Sequence, residues 1–493
     1  MITWGWTGMA HDASLAVFGD KKLVFAAHAE RYSRVKNDKN LNQDLIDEAL
    51  DYGEPHKIYF YEQPLLKKTR QLYSKQYALL GKESPTTYIR KFLKDAPKCT
   101  TTSHHRAHAG AGYYTSSYTD AAILNIDSIG EWDTVSIWTG EGDSLKKTWS
   151  QRYPHSIGIW YSAMTQRIGL KPQEHEYILM GMAAVGDPDR LYQDIKNDFI
   201  ELAPTRWNPY TLFKRNCHRG CLDWRPDLNT PQDYADIASA VQRIYEEIFD
   251  GLVMYTKYAT QKDNLVLMGG CALNCSANSI AYKYFKDVWI MPNPGDSGSA
   301  VGCVLAHWGH HIEWPGPYLG HNIKGEYPVE NILKNLQSKK ITAVASGRAE
   351  FGPRALGNRS ILADPRGDDV KDLVNTIKHR ESFRPFAPAI LAEHAGDYFT
   401  GYTGPYMQYT STCKRPDKFP AIVHYDDTSR VQTVSTTDNS GFRKLLERWY
   451  ADTGCPMLLN TSLNIKGEPL VNTREDADRW TKQYGVEVCV PSE

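Results

Sequence analysis

Residues 2–34 read ITWGWTGMAHDASLAVFGDKKLVFAAHAERYSR. The stretch parses as a strand, a polar Gly-containing turn, a second strand LAVF, a Gly-Asp turn and a third strand LVFAA. His11 and Asp12 sit in the first turn. The pattern returns farther along, where AAILNID near 121–127 and VSIW near 135–138 flank a turn holding Asp127, Gly130 and Glu131. Two such units, with acids and glycine in their turns, predict an internally duplicated fold that holds phosphates or a metal between its halves.

That duplication suits an actin-like ATPase domain within an α/β protein. NLNQDLIDEALDYG is helix-prone, IYFYEQP reads as a strand, and a Lys-rich helical segment is expected to run to about Leu93. Residues 230–260 are strongly helical, and NLVLMGG is a buried strand that ends at a Gly pair before the helix-like CALNCSANSIAYKYF. The stretch EWPGPYLGHNIKGEYP concentrates Pro, Gly and aromatics and marks a domain boundary, giving 1–325 and 326–493. The second domain mixes strands (ITAVAS, APAIL, RVQTV, MLLN) with helices, an α+β pattern.

At 493 residues the chain has room for two or three domains with sizeable cores. Its 57 Lys plus Arg against 58 Asp plus Glu leave a formal charge of -1, which excludes a whole-chain field for nucleic acid or an acidic membrane. No apolar run approaches the roughly 18–20 residues of a membrane span, and no leader pattern opens the chain, so a cytoplasmic protein is expected. Nine scattered cysteines make no disulfide framework and are expected to be reduced. Cys217 with Cys221 and Cys271 with Cys275 are close pairs, but no second pair stands at a suitable spacing for a zinc finger or ribbon. Thirty tyrosines supply most of a 12% aromatic content, which suits pockets that stack or shape ligands.

In SHHRAHAGAGYYTS, His104 and His108 stand at i, i+4 and share a helix face about one turn apart, a spacing that can aim two imidazoles at one metal. His105 faces elsewhere. Asp127 in NIDSIGE and Asp296 in NPGDSGSA supply acids from Gly-rich turns, and two His with two Asp suit Fe or Mn somewhat better than Zn. No Glu lies inside the helical pair, which separates it from H-E-x-x-H metalloproteases. Gly269 and Gly270 at a strand end either let backbone amides approach a phosphate or permit close helix packing, and Asn274 stands where it can hydrogen-bond a nucleotide. The segment SGRAEFGPRALGNRSILADPR crowds Arg348, Arg354 and Arg359 among residues that restrict the backbone. Lys378, Arg380 and Arg384 follow, then Arg430; cations in such number without compensating acids imply an anionic ligand with more than one phosphate-like group.

The same stretches resemble, together and in order, the NodU/CmcH family of O-carbamoyltransferases, which includes the tobramycin carbamoyltransferase. They are GMAHDASLAV, AERYSRVK, HHRAHAGAGYYTS, MGMAAVGDP, GGCALNCSAN, PGDSGSAVG, GRAEFGPRALGNRSILADPR, HRESFRPFAPAIL, RVQTV and LLNTSLNIKGEP, and they span almost the whole chain. The resemblance implies an N-terminal domain of the actin-like ATPase (ASKHA) fold, similar to the tRNA threonylcarbamoyl-transfer protein, and a C-terminal YrdC-like domain. It implies that the C-terminal domain takes carbamoyl phosphate and ATP, with Mg2+, to carbamoyl-adenylate, and that the N-terminal domain passes the carbamoyl group to an acceptor hydroxyl with release of AMP. By position, it makes His104, His108, Asp127 and Asp296 ligands of Fe2+, with Mn or Zn as alternatives. It makes His11 the residue that takes the acceptor proton, with Asp12 beside it. Gly269, Gly270 and Asn274 would hold the adenylate. Arg348, Arg354, Lys378, Arg384 and Arg430, with Asn460 and Lys466, would hold carbamoyl phosphate and the ATP phosphates.

The chain departs from the family pattern at Tyr177 and Ile178, near an expected basic position, and at Asn37, where a His is common after Lys36. These differences bear on the acceptor, a small-molecule or nucleotide hydroxyl, more than on the chemistry. Two alternatives remain at this point: a carbamoyl or threonylcarbamoyl transferase acting on a nucleotide or nucleic acid, and a nucleotide-binding regulator without turnover. A homodimer is the assembly the resemblance suggests.

Overall fold

Strand order accounts for the repeated hairpins. The computed structural model describes residues 1–77, 81, 83–367, 369–381, 383–438 and 440–492. In it, β1 (Ile2–Thr7), β2 (Ser14–Gly19), β3 (Lys22–His28), β4 (Lys57–Phe60) and β5 (Cys99–Thr101) form a sheet in the order β3-β2-β1-β4-β5. β1 runs antiparallel to β2 and parallel to β4, which is parallel to β5. β6 (Asp120–Ile126), β7 (Asp133–Glu141) and β8 (Ser144–Arg152) open a second sheet, and a short hairpin of β9 (Ile200–Leu202) and β10 (Leu212–Phe213) follows. β11 (Asn264–Met268) and β12 (Asp287–Trp289) complete that sheet in the order β8-β7-β6-β11-β12. Here too two antiparallel pairings are followed by two parallel ones. The duplicated topology expected of an actin-like domain is therefore present, and it is carried by connectivity rather than by repeated sequence.

Parallel neighbours need crossover connections, and helices supply them. The helices His104–Thr115 and Ser299–Trp308 lie close together: a Cβ at Gly302 would stand 1.9 Å from the Ala107 carbonyl oxygen, so only glycine permits this approach. The helix Pro231–Thr260 matches the expected span, started by a capping box between Thr230 and Asp233 and ended by Gln261 in the left-handed region. Two expected helices are broken. The Lys-rich segment forms Pro64–Tyr73 and then Pro85–Ile89, and Lys75 at φ 59° stops the first. CALNCSANSIAYKYF divides at Asn274, whose non-helical backbone and side-chain cap on the Ala277 N–H begin a new short helix, Cys275–Asn278.

The chain divides into two compact units, Met1–Ala26 with Lys39–Trp314, and Ala27–Asp38 with Pro315–Glu493. The expected division at 325/326 is thus displaced. β13 (Tyr318–Ile323) pairs with β15 (Gly347–Glu350) and so belongs to the second unit. Residues 27–38 also join that unit: Arg34 donates to the Leu470 and Pro469 carbonyls at 2.7 and 2.9 Å, and Arg31 donates to the Gly352 carbonyl at 2.9 Å.

The second unit is built on β14 (Ile341–Ala345), β16 (Arg359–Ala363), β17 (Ala387–Leu391), β21 (Gln432–Val434), β22 (Met457–Ser462) and β23 (Val488–Cys489), in the order β21-β17-β22-β16-β14-β23. β18 (Phe399–Thr400), β19 (Ser411–Cys413) and β20 (Thr428–Ser429) make a small separate sheet. Side chains alternate across the large sheet and build two cores. Ile341, Ala343, Ile361 and Leu459 face one core with Val374 and Trp480, while Val344, Leu362 and Leu458 face the other with Leu336 and Leu446. The result is a mixed α+β unit.

Candidate active site

Three elements of the first unit converge on one point: the N-terminal turn of the helix His104–Thr115, the turn after β6 and the turn before the helix Ser299–Trp308. His104 Nε2 lies 3.1 Å from Asp127 Oδ2 and 3.4 Å from Asp296 Oδ1. His108 Nε2 lies 3.4 Å from Asp296 Oδ1 and 3.9 Å from Asp127 Oδ2. One ligand atom from each of the four residues falls within 4.8 Å of the others. The two Nε2 atoms are only 3.0 Å apart. Two imidazole nitrogens at that separation either share one proton or flank a cation, and the surrounding mixture of nitrogen and oxygen donors suits a divalent ion. The donor set therefore fits a divalent metal. Burial opposes a charged His104, but the carboxylates of Asp296, Asp127 and Glu62 hold its imidazolium well above the ordinary range. Asp296 is held well below the usual carboxylate range, because His104 and His108 outweigh the cost of its burial.

Groups behind these ligands complete the arrangement. His108 Nδ1 faces Ser299 Oγ at 3.3 Å, and His104 Nδ1 faces Glu62 Oε1 at 3.4 Å. Glu131 accepts the His104 backbone N–H on both oxygens, at 3.0 and 3.1 Å, and the Gln63 N–H at 2.7 Å. It substitutes for the helix N-cap, since Ser103 makes no side-chain cap. His105 turns away, bonded to Ser136 Oγ at 2.7 Å, and burial pushes its imidazole down to about 3.

The β1–β2 turn reaches the same place. Ser14 Oγ donates to the Ser297 carbonyl at 2.6 Å, which ties this turn to the one carrying Asp296. His11 Nδ1 pairs with Asp12 Oδ2 at 3.0 Å, and Asp12 holds a left-handed φ of 40°. Burial favours neutral His11, but the pairing with Asp12 and the fields of Asp296 and Asp127 raise its pKa to about 9. Gly269, at φ 91°, is obligatory: a Cβ there would stand 2.2 Å from the Ile126 carbonyl oxygen. The Gly270 N–H donates to Asp127 Oδ1 at 3.2 Å. Asn274 is engaged on both ends of its amide, exchanging bonds of 3.0 and 3.1 Å with Gln242.

The second unit holds the cations. Lys378 is half-buried, and its ammonium meets neutral oxygens: Ser462 O at 2.8 Å, Ser462 Oγ at 3.2 Å and Asn464 Oδ1 at 2.5 Å. Burial, then Arg380, Arg384 and Lys36, push its pKa well below the lysine range. Arg380 donates to Thr461 Oγ1 at 3.3 Å and lies over the Phe386 ring. Lys466 donates to the His379 carbonyl at 3.0 Å, and Asn460 bonds the Ala355 carbonyl and Gln432 Oε1 at 3.2 and 2.8 Å. The expectation that these cations lack compensating acids needs one correction: Arg384 pairs with Glu381 at 2.8 Å. Arg348 bonds the Gly320 and Leu319 carbonyls of β13. Arg354 lies half-buried, and Arg430 stands between β20 and β21. Arg359 is fully buried and donates to the carbonyls of Ser346, Gly347, Asn358, His321 and Asn472, so it is a strut inside the fold rather than a contact for a ligand.

Residues 59–305 match the family described as carbamoyltransferase N-terminus, and residues 333–492 match carbamoyltransferase C-terminus. The chain belongs to the carbamoyltransferase family. Relatives extend over nearly its full length. An uncharacterised protein of Synechocystis is 32% identical over 95% of this chain and 92% of its own. The nodulation protein NolNO of Sinorhizobium fredii is 28% identical over 95% of this chain and 76% of its own. The 3'-hydroxymethylcephem-O-carbamoyltransferase of Amycolatopsis lactamdurans is 27% identical over 97% and 95%. Among solved structures, component A of the (R)-2-hydroxyglutaryl-CoA dehydratase of Acidaminococcus fermentans aligns with 63% of the chain and 99% of its own, at a TM-score of 0.32 and 11% identity.

In this carbamoyltransferase the sequence reading missed Glu62 and Ser299 around the His104, His108, Asp127 and Asp296 cluster, and Ser462 and Asn464 beside Lys378; it named Glu131 in the Asp127 turn but not its bonds to the His104 N–H. Ser299 and the Ser462–Asn464 pair lie within stretches already singled out, but Glu62 in YEQP has no spacing signal. Only the fold brings it to His104. The cysteine pairs join no metal-ligand group among the described residues; burial raises the Cys217 and Cys221 thiols to about 11 and about 12, and all nine cysteines are unbridged. Ile178 is core and Tyr177 half-buried on the helix Glu176–Met182. Among the described residues no helix is long and apolar enough to cross a membrane.

Proposed function

We propose that this carbamoyltransferase is an ATP-dependent O-carbamoyltransferase with two reaction sites, one in each unit. The second unit, as a YrdC-like domain, takes carbamoyl phosphate, water and Mg2+-bound ATP to carbamoyl-adenylate, phosphate and pyrophosphate. Lys378, Arg354, Arg384, Arg430 and Arg348 bind the phosphate oxygens there; an ammonium held among neutral oxygens beside further cations is stabilised by incoming negative charge. Asn460 and Lys466 border that site. The first unit then uses the adenylate: the acceptor oxygen bonds the carbamoyl carbon, the bond to the AMP oxygen breaks, and the acceptor proton passes to His11.

The observation that carries this reading is the meeting of the His11–Asp12 turn with the His104, His108, Asp127 and Asp296 cluster through the Ser14–Ser297 bond. Those four residues would hold Fe2+ or a similar ion, which supplies positive charge against the adenylate phosphate. The Gly269–Gly270 turn lets backbone approach the nucleotide closely. His11 serves as base once Asp127 and Asp296 are compensated by positive charge, because two of the fields that keep it protonated are then cancelled. The acceptor is a small-molecule or nucleotide hydroxyl, as the cephem substrate named for the Amycolatopsis relative suggests.

The test is acceptor-dependent AMP release from ATP and carbamoyl phosphate, screened over hydroxylated small molecules, with labelled carbamoyl recovered as an ester of the acceptor. Failure to form carbamoyl-adenylate with intact protein would overturn the reading.

A further inference from the structure

Behind the metal-ligand histidine stands a carboxylate that no ligand count requires. Glu62 is 4% exposed, and its Oε1 faces His104 Nδ1 at 3.4 Å. It follows β4 directly, so its position is set by the sheet rather than by a mobile loop. Lys67, on the helix Pro64–Tyr73, forms an ion pair with the other oxygen of Glu62. The backbone nearby is fixed as well, because Glu131 takes the N–H groups of both Gln63 and His104. Glu62 thus stands behind the imidazole, with half-buried Lys67 holding its carboxylate and buried Glu131 holding the adjoining backbone.

An imidazole has two nitrogens, and only the one without hydrogen offers a lone pair. Asp127 and Asp296 face Nε2 as Glu62 faces Nδ1, so both nitrogens carry hydrogen until an ion takes the place at Nε2; with an ion there, the Glu62 carboxylate keeps the remaining hydrogen on Nδ1. It leaves the lone pair on Nε2, the atom aimed at Asp127, Asp296 and His108. Ser299 Oγ occupies the corresponding place behind His108, but a hydroxyl can donate or accept and so selects no tautomer. The two histidines are supported unequally, and His104 is the one held by a full negative charge.

We propose that Glu62, held by Lys67, is the positioning residue of the metal centre: it fixes the tautomer and ring orientation of His104 and sets the affinity of the His104, His108, Asp127 and Asp296 site for its divalent ion. This rests on reading those four residues as a metal site.

The experiment titrates Mn2+ into full-length, metal-stripped protein against a chelator, for wild type, Glu62→Gln, Lys67→Met, Lys67→Arg and a surface control at exposed Lys94, Lys94→Ala. Glu62→Gln is expected to weaken Mn2+ binding about 10- to 100-fold, the range found when an outer partner of a metal-bound His is removed. Lys67→Met should weaken it less, Lys67→Arg should restore most of the affinity, and Lys94→Ala should match wild type. Metal-free melting temperatures and the visible absorption of Co2+-loaded protein separate a positioning effect from damage to the fold. Unchanged melting with an altered Co2+ spectrum in Glu62→Gln supports the proposal. Wild-type affinity in Glu62→Gln overturns it and leaves the metal site standing, as does wild-type affinity in Lys67→Met if Glu62→Gln does not fold. No Mn2+ or Co2+ binding by the wild type, or binding that survives His104→Ala with His108→Ala, overturns the metal reading together with this inference.

Discussion

Half-buried Lys378 and fully buried Arg359 are both cations of the second unit, and they are treated in opposite ways. Arg359 spends its guanidinium on backbone carbonyls from several segments, including Ser346, His321 and Asn472, and is satisfied within the fold. Lys378 meets neutral oxygens, with Arg380, Arg384 and Lys36 close enough to depress its pKa. The first is a structural charge, whereas the second is the one proposed to meet an anion. The His104, His108, Asp127 and Asp296 cluster of the first unit is the counterpart, gathering two carboxylates and two imidazoles into a donor set that could hold a metal ion. Composition averages these into a net charge of -1. The chemistry lies in which charges the fold leaves without a permanent answer.

Four variants break or sharpen that contrast. The largest effect is expected of His104→Ala with His108→Ala. Transfer to acceptor should fall by roughly a thousand-fold or more, the several kcal/mol of charge stabilisation an ion supplies, while pyrophosphate release persists. Measuring both products in one assay checks it. Next is Lys378→Met. Pyrophosphate release should drop by roughly 100- to 1000-fold, the scale of one lost electrostatic contact at a transition state, with metal binding in the first unit unchanged.

The same variant carries a pH signature. Because the folded pKa of Lys378 is depressed, the unfolded chain binds the extra proton, and wild-type stability rises with pH from that depressed value up to the unfolded value near 10.4. The excess stability of Lys378→Met in ligand-free protein should therefore shrink as pH rises through this window, as read by melting temperature. A constant difference would mean that Lys378 is not a desolvated ammonium.

His11→Asn is third, with transfer reduced about 100- to 10,000-fold and adenylate formation intact. As a base His11 must be neutral, so the transfer rate should rise with pH and level off. In metal-free protein its raised pKa, about 9, adds stability below the ordinary histidine value that is lost as pH climbs through 9. Ion binding to Asp127 and Asp296 should move the rate inflection below 9. An inflection unaffected by metal would separate His11 from the cluster. The smallest catalytic effect belongs to Arg359→Lys, which should cost stability by about 3 kcal/mol or more through lost carbonyl bonds, with activity normal in whatever remains folded. Urea melts with parallel activity assays distinguish it from Lys378→Met.

Much of this was legible in sequence because local rules govern it. The i, i+4 spacing of His104 and His108 survives into the structure because a helix imposes it, and the two acid-bearing turns recur because each joins paired strands. Local rules also failed in identifiable ways. Arg359 looked like its neighbours Arg348 and Arg354, since a sequence shows a guanidinium but not the five carbonyl-bearing residues that surround it. Arg384 looked unpaired although Glu381 precedes it by one helical turn's spacing. The second unit recruits residues 27–38 from across a chain of nearly three hundred residues, and no composition shift announces that. Glu62 was invisible for the same reason: its partner is His104, and only the sheet order brings them together.

The central claim, that one chain makes an activated carbamoyl group with its cationic site and spends it at its metal-ligand site, is tested most directly by rapid quench. Wild type and His11→Asn would be mixed with ATP and carbamoyl phosphate labelled in the carbamoyl carbon, first without and then with an acceptor found in the screen. Both should accumulate labelled carbamoyl-adenylate with matching pyrophosphate, and acceptor should discharge it to AMP and labelled product in the wild type alone. Absence of the adenylate in both proteins, or discharge by His11→Asn at the wild-type rate, would contradict the account.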